Sequence, residues 1–157
     1  MASRLTAGTL TVTLTEALTI THSNTTNNIS HNKTTTQTIS GVSQINSRVY
    51  QLKASTTHTL VEFASDPTSG KFDTEDFKYM RITNLDDTNA INLTFAEEST
   101  VGCAFQLDAG ESFVISALVV DSNTSGAAIT SLGHSITDLF ITTGAAETDV
   151  EIVVATA

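Results

Sequence analysis

The sequence predicts an all-β protein, an antiparallel β-sandwich of jelly-roll type with an extended polar N-terminal segment, and three observations predict it. Charged residues make up only 15% of the chain, against about 25% in an average domain. Thr, Ser and Asn fill their place; Thr is β-branched and suits a pleated, half-buried surface, while Ser and Asn serve turns. Roughly nine or ten short stretches alternate apolar with polar residues at the spacing of a sandwich or barrel. No stretch keeps a helical period over the ~11 residues that a helix reading needs. At 157 residues and 16.6 kDa, the chain is read as one domain over 1–157, with 1–43 a strand and arm engaged in subunit contacts.

The elements follow in order. GTLTVTLTEALTI, 8–20, sets Leu10, Val12 and Leu14 on one face and Thr on the other, the period of two of a half-buried strand. THSNTTNNISHNKTTTQTIS, 21–40, is nearly free of large apolar residues, and loops of that length are uncommon in compact domains. Thr34, Thr36 and Thr38 lead into Ile39 as a polar strand, ordered either alone or by another subunit. SRVYQLKA (47–54) and THTLVEFAS (57–65) are strands rich in β-branched and aromatic residues, and DPTSGKFDTED (66–76) is turn chemistry. KYMRITNLDDTNAINLTFAEE, 78–98, reads as a hairpin with DDTN as its turn, Met80 and Ile82 being answered by Ile91, Leu93 and Phe95. VGCAFQL and SFVISALVV read as a second pair around DAGE. SITDLFITT and TDVEIVVATA complete the chain, separated by GAAE. Alternation puts Met80, Ile82, Ile91, Leu93, Phe95, Phe113, Ile115, Ile152 and Val154 in the core.

Charge excludes several functions. Seventeen acidic residues against seven Lys and Arg give a net charge of −10, which repels phosphate backbones and anionic membranes alike. The cations are scattered, so neither nucleic acid nor membrane is an expected partner. The N-terminus lacks the apolar region of a secretory leader, and no run approaches the ~20 apolar residues of a membrane helix. Five N-x-[ST] triplets (Asn24, Asn28, Asn32, Asn92, Asn123) then read as chance in a chain rich in Asn and Thr.

Chemistry-bearing patterns are sparse. His22, His31, His58 and His134 form no pair at ligand spacing, so no metal site is expected. Asp73-Thr74-Glu75-Asp76 and Asp86-Asp87 lack the spacing and glycine of a calcium loop and read as turns. Cys103, the single cysteine, has no His near it in sequence and reads as a buried structural thiol in a reducing compartment. Carbohydrate sites display exposed aromatics, and here there is no Trp and only Tyr50 and Tyr79. No nucleophile elbow or phosphate loop is present. No enzymatic activity, cofactor or catalytic residue is expected.

One resemblance spans most of the chain. The run from LTVTLTEALTI through TISGVSQINSRVYQL and EDFKYMRITNLDDTNAINLTF to LDAGESFVIS and ETDVEIVVATA resembles small structural proteins of tailed bacteriophages, a type frequent in phages of marine and cyanobacterial hosts. The resemblance rests on β patterning and on phrases such as YMRITNLDDTN. It implies a virion component assembled in the host cytoplasm: a capsid decoration (cement) protein, or else a neck, tail or fibre subunit, or a receptor- or glycan-binding head. The implied partners are the major capsid protein or other virion proteins, and further copies of the chain in a homotrimer. Interface residues are expected in the N-terminal region, at Arg4, Leu5, Leu10, Val12, Leu14, Thr34, Thr36 and Thr38.

Overall fold

The computed structural model describes residues 6–21, 28–64, 70–97, 100–116 and 137–157. They form eleven strands and no helix: β1 (Gly8–Thr21), β2 (Asn28–Val42), β3 (Gln44–Leu52), β4 (Thr57–Ala64), β5 (Phe72–Asp73), β6 (Phe77–Asn84), β7 (Ile91–Glu97), β8 (Thr100–Leu107), β9 (Ser112–Ser116), β10 (Asp138–Thr143) and β11 (Thr148–Thr156). Three sheets result: a ribbon of β1 and β2, a five-stranded sheet in the order β5-β4-β10-β7-β8, and a four-stranded sheet in the order β3-β11-β6-β9. All pairings are antiparallel except the short β4–β5 contact.

The two larger sheets share one buried cluster, which takes Val61, Ile91, Leu93, Leu139 and Ile141 from one and Met80, Ile82, Ile115, Val150 and Ile152 from the other. Every core residue expected from alternation belongs to this cluster, Phe113 as a half-buried member at its margin. Phe113 and Phe105 stack at 5.0 Å between ring centres and both contact Phe95, bridging the sheets near their β8–β9 ends. Asn84 is the polar anchor of this region. Its side chain is fully buried, and its Nδ2 donates to the carbonyls of Asn89, Leu107 and Asp108 at 2.8 to 3.2 Å, while its Oδ1 accepts from the Asp86 N–H. One carboxamide thus satisfies backbone groups in two separate turns, which an apolar side chain there would leave unpaired.

Both expected hairpins are corrected. β6 pairs with β11 and β9, whereas β7 pairs with β10 and β8, so the DDTN segment carries the chain from one sheet to the other. β8 and β9 likewise pair with β7 and β6, not with each other. Alternation reports which residues point inward; it is the same whether the answering strand lies alongside or across the core. The described part of 21–40 also differs from a segment waiting for another subunit: β2 pairs along its whole length with β1 of the same chain, from Gly8 opposite Val42 to Thr21 opposite Asn28. Cys103 is exposed, because β8 is the outer strand of its sheet. His22, His134, Asn24, Asn123 and the 117–120 part of SFVISALVV lie outside the described residues.

Candidate functional site

The ribbon is built by two interlocking alternations. Residues directly opposite in an antiparallel pair share a face, so the register places Leu10 with Ile39, Val12 with Gln37, Leu14 with Thr35, Glu16 with Lys33, Leu18 with His31 and Ile20 with Ile29 on one side. The other side is Thr9, Thr11, Thr13, Thr15, Ala17 and Thr19 against Ser40, Thr38, Thr36, Thr34, Asn32 and Ser30. A polar-looking segment therefore completes an amphipathic ribbon. At ~3.3 Å per residue, the 14 residues of β1 span about 46 Å.

Among the described residues, only the base of the apolar side is covered. Ile39 and Val42 are buried against Tyr79 and Ala155, with Leu10, Val12 and Val153 packed around them. Tyr79, Val153 and Ala155 lie on the outer face of the four-stranded sheet, since they alternate with the core residues Met80, Ile152 and Val154. Ser116 Oγ donates to Gln37 Oε1 at 2.7 Å, fastening β2 to the edge strand β9. Beyond that bond the ribbon and sheet flank a groove of about 680 Å³, with Leu14 and Thr35 on the ribbon side and Arg81, Ser112 and Val114 on the sheet side. Arg81 is held there by Glu151 at 2.6 Å and by Thr83 Oγ1 at 3.1 Å. Further out the stripe continues uncovered: Leu14 is 60% exposed, Leu18 53% and Ile29 57%. His31 Nε2 lies 4.0 Å from Glu16 Oε2 on the same side.

The opposite edge of that sheet carries a second uncovered apolar surface. In β3 the even residues turn toward the sandwich interior and the odd ones outward, as the pairing of Ile45 with Ala155 and of Val49 with Glu151 fixes. Yet Gln44, Asn46 and Arg48 are the inward ones, lining a 290 Å³ cavity beside Tyr50 and Lys71. Ile45 and Val49 face outward, 57% and 63% exposed. In the first half of β3 the usual rule of apolar-in and polar-out is thus broken, whereas Tyr50 and Leu52 at its end turn into the core as expected. Such local inversions tend to mark functional surfaces.

Of the residues expected at an interface, Leu10 and Val12 sit in the ribbon–sheet contact and Leu14 at its open end. Thr34, Thr36 and Thr38 lie on the other, polar side of the ribbon and are exposed. Arg4 and Leu5 lie outside the described residues. The sequence reading missed Leu18, Ile20, Ile29, Ile45 and Val49. A signal for the first three was present in the continued period of two through Ile20. Ile45 and Val49 are also spaced evenly, but nothing local says which side of β3 faces the core.

Among the described residues, no group of three or more His, Cys, Asp or Glu side chains is placed to hold a metal ion, and no helix is long and apolar enough to cross a membrane. Gln51, Asp86, Asp87, Glu147 and Asp149 line an open acidic depression at the end of the four-stranded sheet. Compared with protein-family models, with curated proteins and with solved structures, the chain matches none.

Proposed function

We propose that this chain is a non-enzymatic structural protein of a tailed-phage virion, a capsid decoration protein that stabilises the shell as a homotrimer. The observation that carries the reading is the amphipathic ribbon, whose base is seated on the sheet while its outer apolar half has no cover within the described chain. A soluble monomer gains nothing from an uncovered apolar stripe, and such a stripe marks a contact with another protein surface. The strand order supports the fold expectation. Lettered B to I in chain order, β3, β4 and β6 to β11 give the sheets B-I-D-G and C-H-E-F, the winding of a jelly roll, an architecture used in viral capsid domains. The net charge of −10 keeps free protein soluble and suits a basic or polar seat on a shell.

Particle mass spectrometry with quantified copy number tests the proposal directly. Hundreds of copies per particle, seen in a cryo-EM map as protrusions on the shell, are the expected result. A handful of copies confined to neck, tail or fibre, or none, refutes decoration.

A further inference from the structure

The ribbon and strand β3 stand in a particular relation. The four-stranded sheet runs β3-β11-β6-β9, so β3 and β9 are its two edges. The ribbon starts at Val42, next to β3, rests on Tyr79 and Ala155, is tied to Ser116 of β9, and opens toward Ser112 and Val114. Its uncovered half therefore leaves the sheet on the β9 side. The uncovered apolar residues Ile45 and Val49 lie on the same outer face at the β3 side. One molecule thus carries a projecting apolar element at one edge and an unfilled apolar seat at the other.

We infer that the outer apolar face of the ribbon, at Leu14, Leu18 and Ile29, seats on the outer face of β3, at Ile45 and Val49, of a neighbouring copy, so that copies join head to tail. Three features favour a second copy as the occupant. First, the same sheet face already holds this ribbon's apolar side within the chain, through Leu10, Val12 and Ile39. The seat at Ile45 adjoins that contact, because Ile45 shares a small groove with Gly8, Leu10 and Val42 at the ribbon base. The arriving ribbon would extend an interface whose chemistry is already matched. Second, both surfaces are electrically quiet in a chain of net charge −10. The outer side of the ribbon holds one acid and one base, Glu16 opposite Lys33, with His31 beside them. The outward residues of β3 are Ile45, Ser47, Val49 and Gln51, none charged. Two acidic bodies can meet through these surfaces without adding a like-charge pair between Leu14, Leu18 and Ile29 and the outward residues of β3. Third, the two surfaces are different and lie at opposite edges, which is the condition for a heterologous, head-to-tail contact instead of a self-complementary pair; such a contact makes a ring where the rotation between copies closes.

The inference deepens the assembly reading and rests on it for the premise that the ribbon is a contact element, but it needs no shell. The test uses purified full-length protein and two variants, Leu18→Asp and Val49→Asp, with mass measured by light scattering on a sizing column. Both positions are exposed, so each variant keeps the wild-type β spectrum, and its melting point falls by no more than wild type loses on dilution to monomer; a variant that loses the β spectrum is replaced by Leu18→Ser or Val49→Ser. Wild type is expected as a closed oligomer, each variant as a monomer. An equimolar mixture should form a one-to-one pair, because one variant supplies an intact ribbon and the other an intact β3 face. In a Cys103→Ser background, Leu18→Cys and Val49→Cys should cross-link between copies. A monomeric wild type, a Val49→Asp oligomer of wild-type mass, or a mixture that stays monomeric overturns the inference. A monomer that still binds isolated shells, and loses that binding with Leu18→Asp, overturns it as well while leaving the decoration proposal standing.

Discussion

Ser116 Oγ donates a hydrogen bond of 2.7 Å to Gln37 Oε1, joining the last residue of β9 to the middle of the ribbon. The bond is exposed, so its own contribution is small, about 0.5 to 1 kcal/mol. Its position lets it hold the ribbon to the sheet edge, since Leu14, Leu18 and Ile29 on the tip side of Gln37 are exposed. Ser116→Ala should leave the melting point within a few degrees of wild type. It should nevertheless raise amide exchange in β1 and β2 on the tip side of Val12 and Gln37. Unchanged exchange there would remove the bond from this role.

The shared core makes a stronger demand. Leu93 is fully buried in the cluster between the two sheets, and Leu93→Ala should cost about 2 to 5 kcal/mol in urea unfolding. Leu18→Ala on the exposed ribbon removes the same atoms and should cost the isolated chain far less.

Asn84 holds two turns at once, and its loss should be felt in both. Asn84→Ala leaves the carbonyls of Asn89, Leu107 and Asp108 without their donor and should cost about 2 to 3 kcal/mol. Asn84→Asp should be worse than Ala near neutral pH, because it turns an acceptor toward three carbonyl oxygens. Denaturant melts of the pair decide the order.

Gly102 is exposed, yet substitution should not be tolerated. A Cβ at this position would come within 2.5 Å of the Phe95 carbonyl oxygen, close to the register shift between Phe95 and Ala96. Backbone must move to admit it, at a cost of about 1 to 3 kcal/mol. Gly102→Ala should therefore lower the melting point and perturb the β7–β8 amide shifts.

Asp86 sets an acid limb. The backbone N–H of Asn89, then that of Thr88, donate to its carboxylate at 2.7 and 2.8 Å and hold its pKa below the ordinary aspartate value. A carboxyl depressed on folding adds stability above its unfolded pKa and loses it as pH falls through the folded one. A carbon-13 titration should place its midpoint below that of a free aspartate, and Asp86→Asn should flatten the acid limb of the stability curve. A midpoint at or above the free value would contradict the hydrogen-bond assignment.

The sequence made faces legible and neighbours obscure. Met80, Ile82, Leu93 and Ile152 announce their burial by alternation alone, because a strand has only two sides. Strand partners are decided by long-range packing, and so the DDTN and DAGE segments pass for hairpin turns although each crosses between sheets. The polar run 28–38 shows the same limit. Its threonines give a strand but not the apolar face, which appears only once β1 is set beside it. For β3, alternation identifies two sets of residues, each with two large apolar members, and Ile45 and Val49 face outward while Tyr50 and Leu52 face the core, so composition alone does not choose between the sets.

The placement of β11 between β3 and β6 bears on the order in which the protein can be made. Thr148 to Thr156 pair on one side with residues 44–52 and on the other with residues 77–84, so roughly a hundred residues separate β3 from the strand that completes its ladder. Non-local closure of this kind slows folding, into the millisecond-to-second range typical of such topologies. During synthesis β3 and β6 wait with open edges until residue 148 and beyond have emerged, whereas β1 and β2 can zip together as soon as residue 42 is available. The ribbon strands can thus meet before the sheet that receives their base is complete, but a two-stranded hairpin alone is marginal in water, so its apolar side lies open to other nascent chains in that interval.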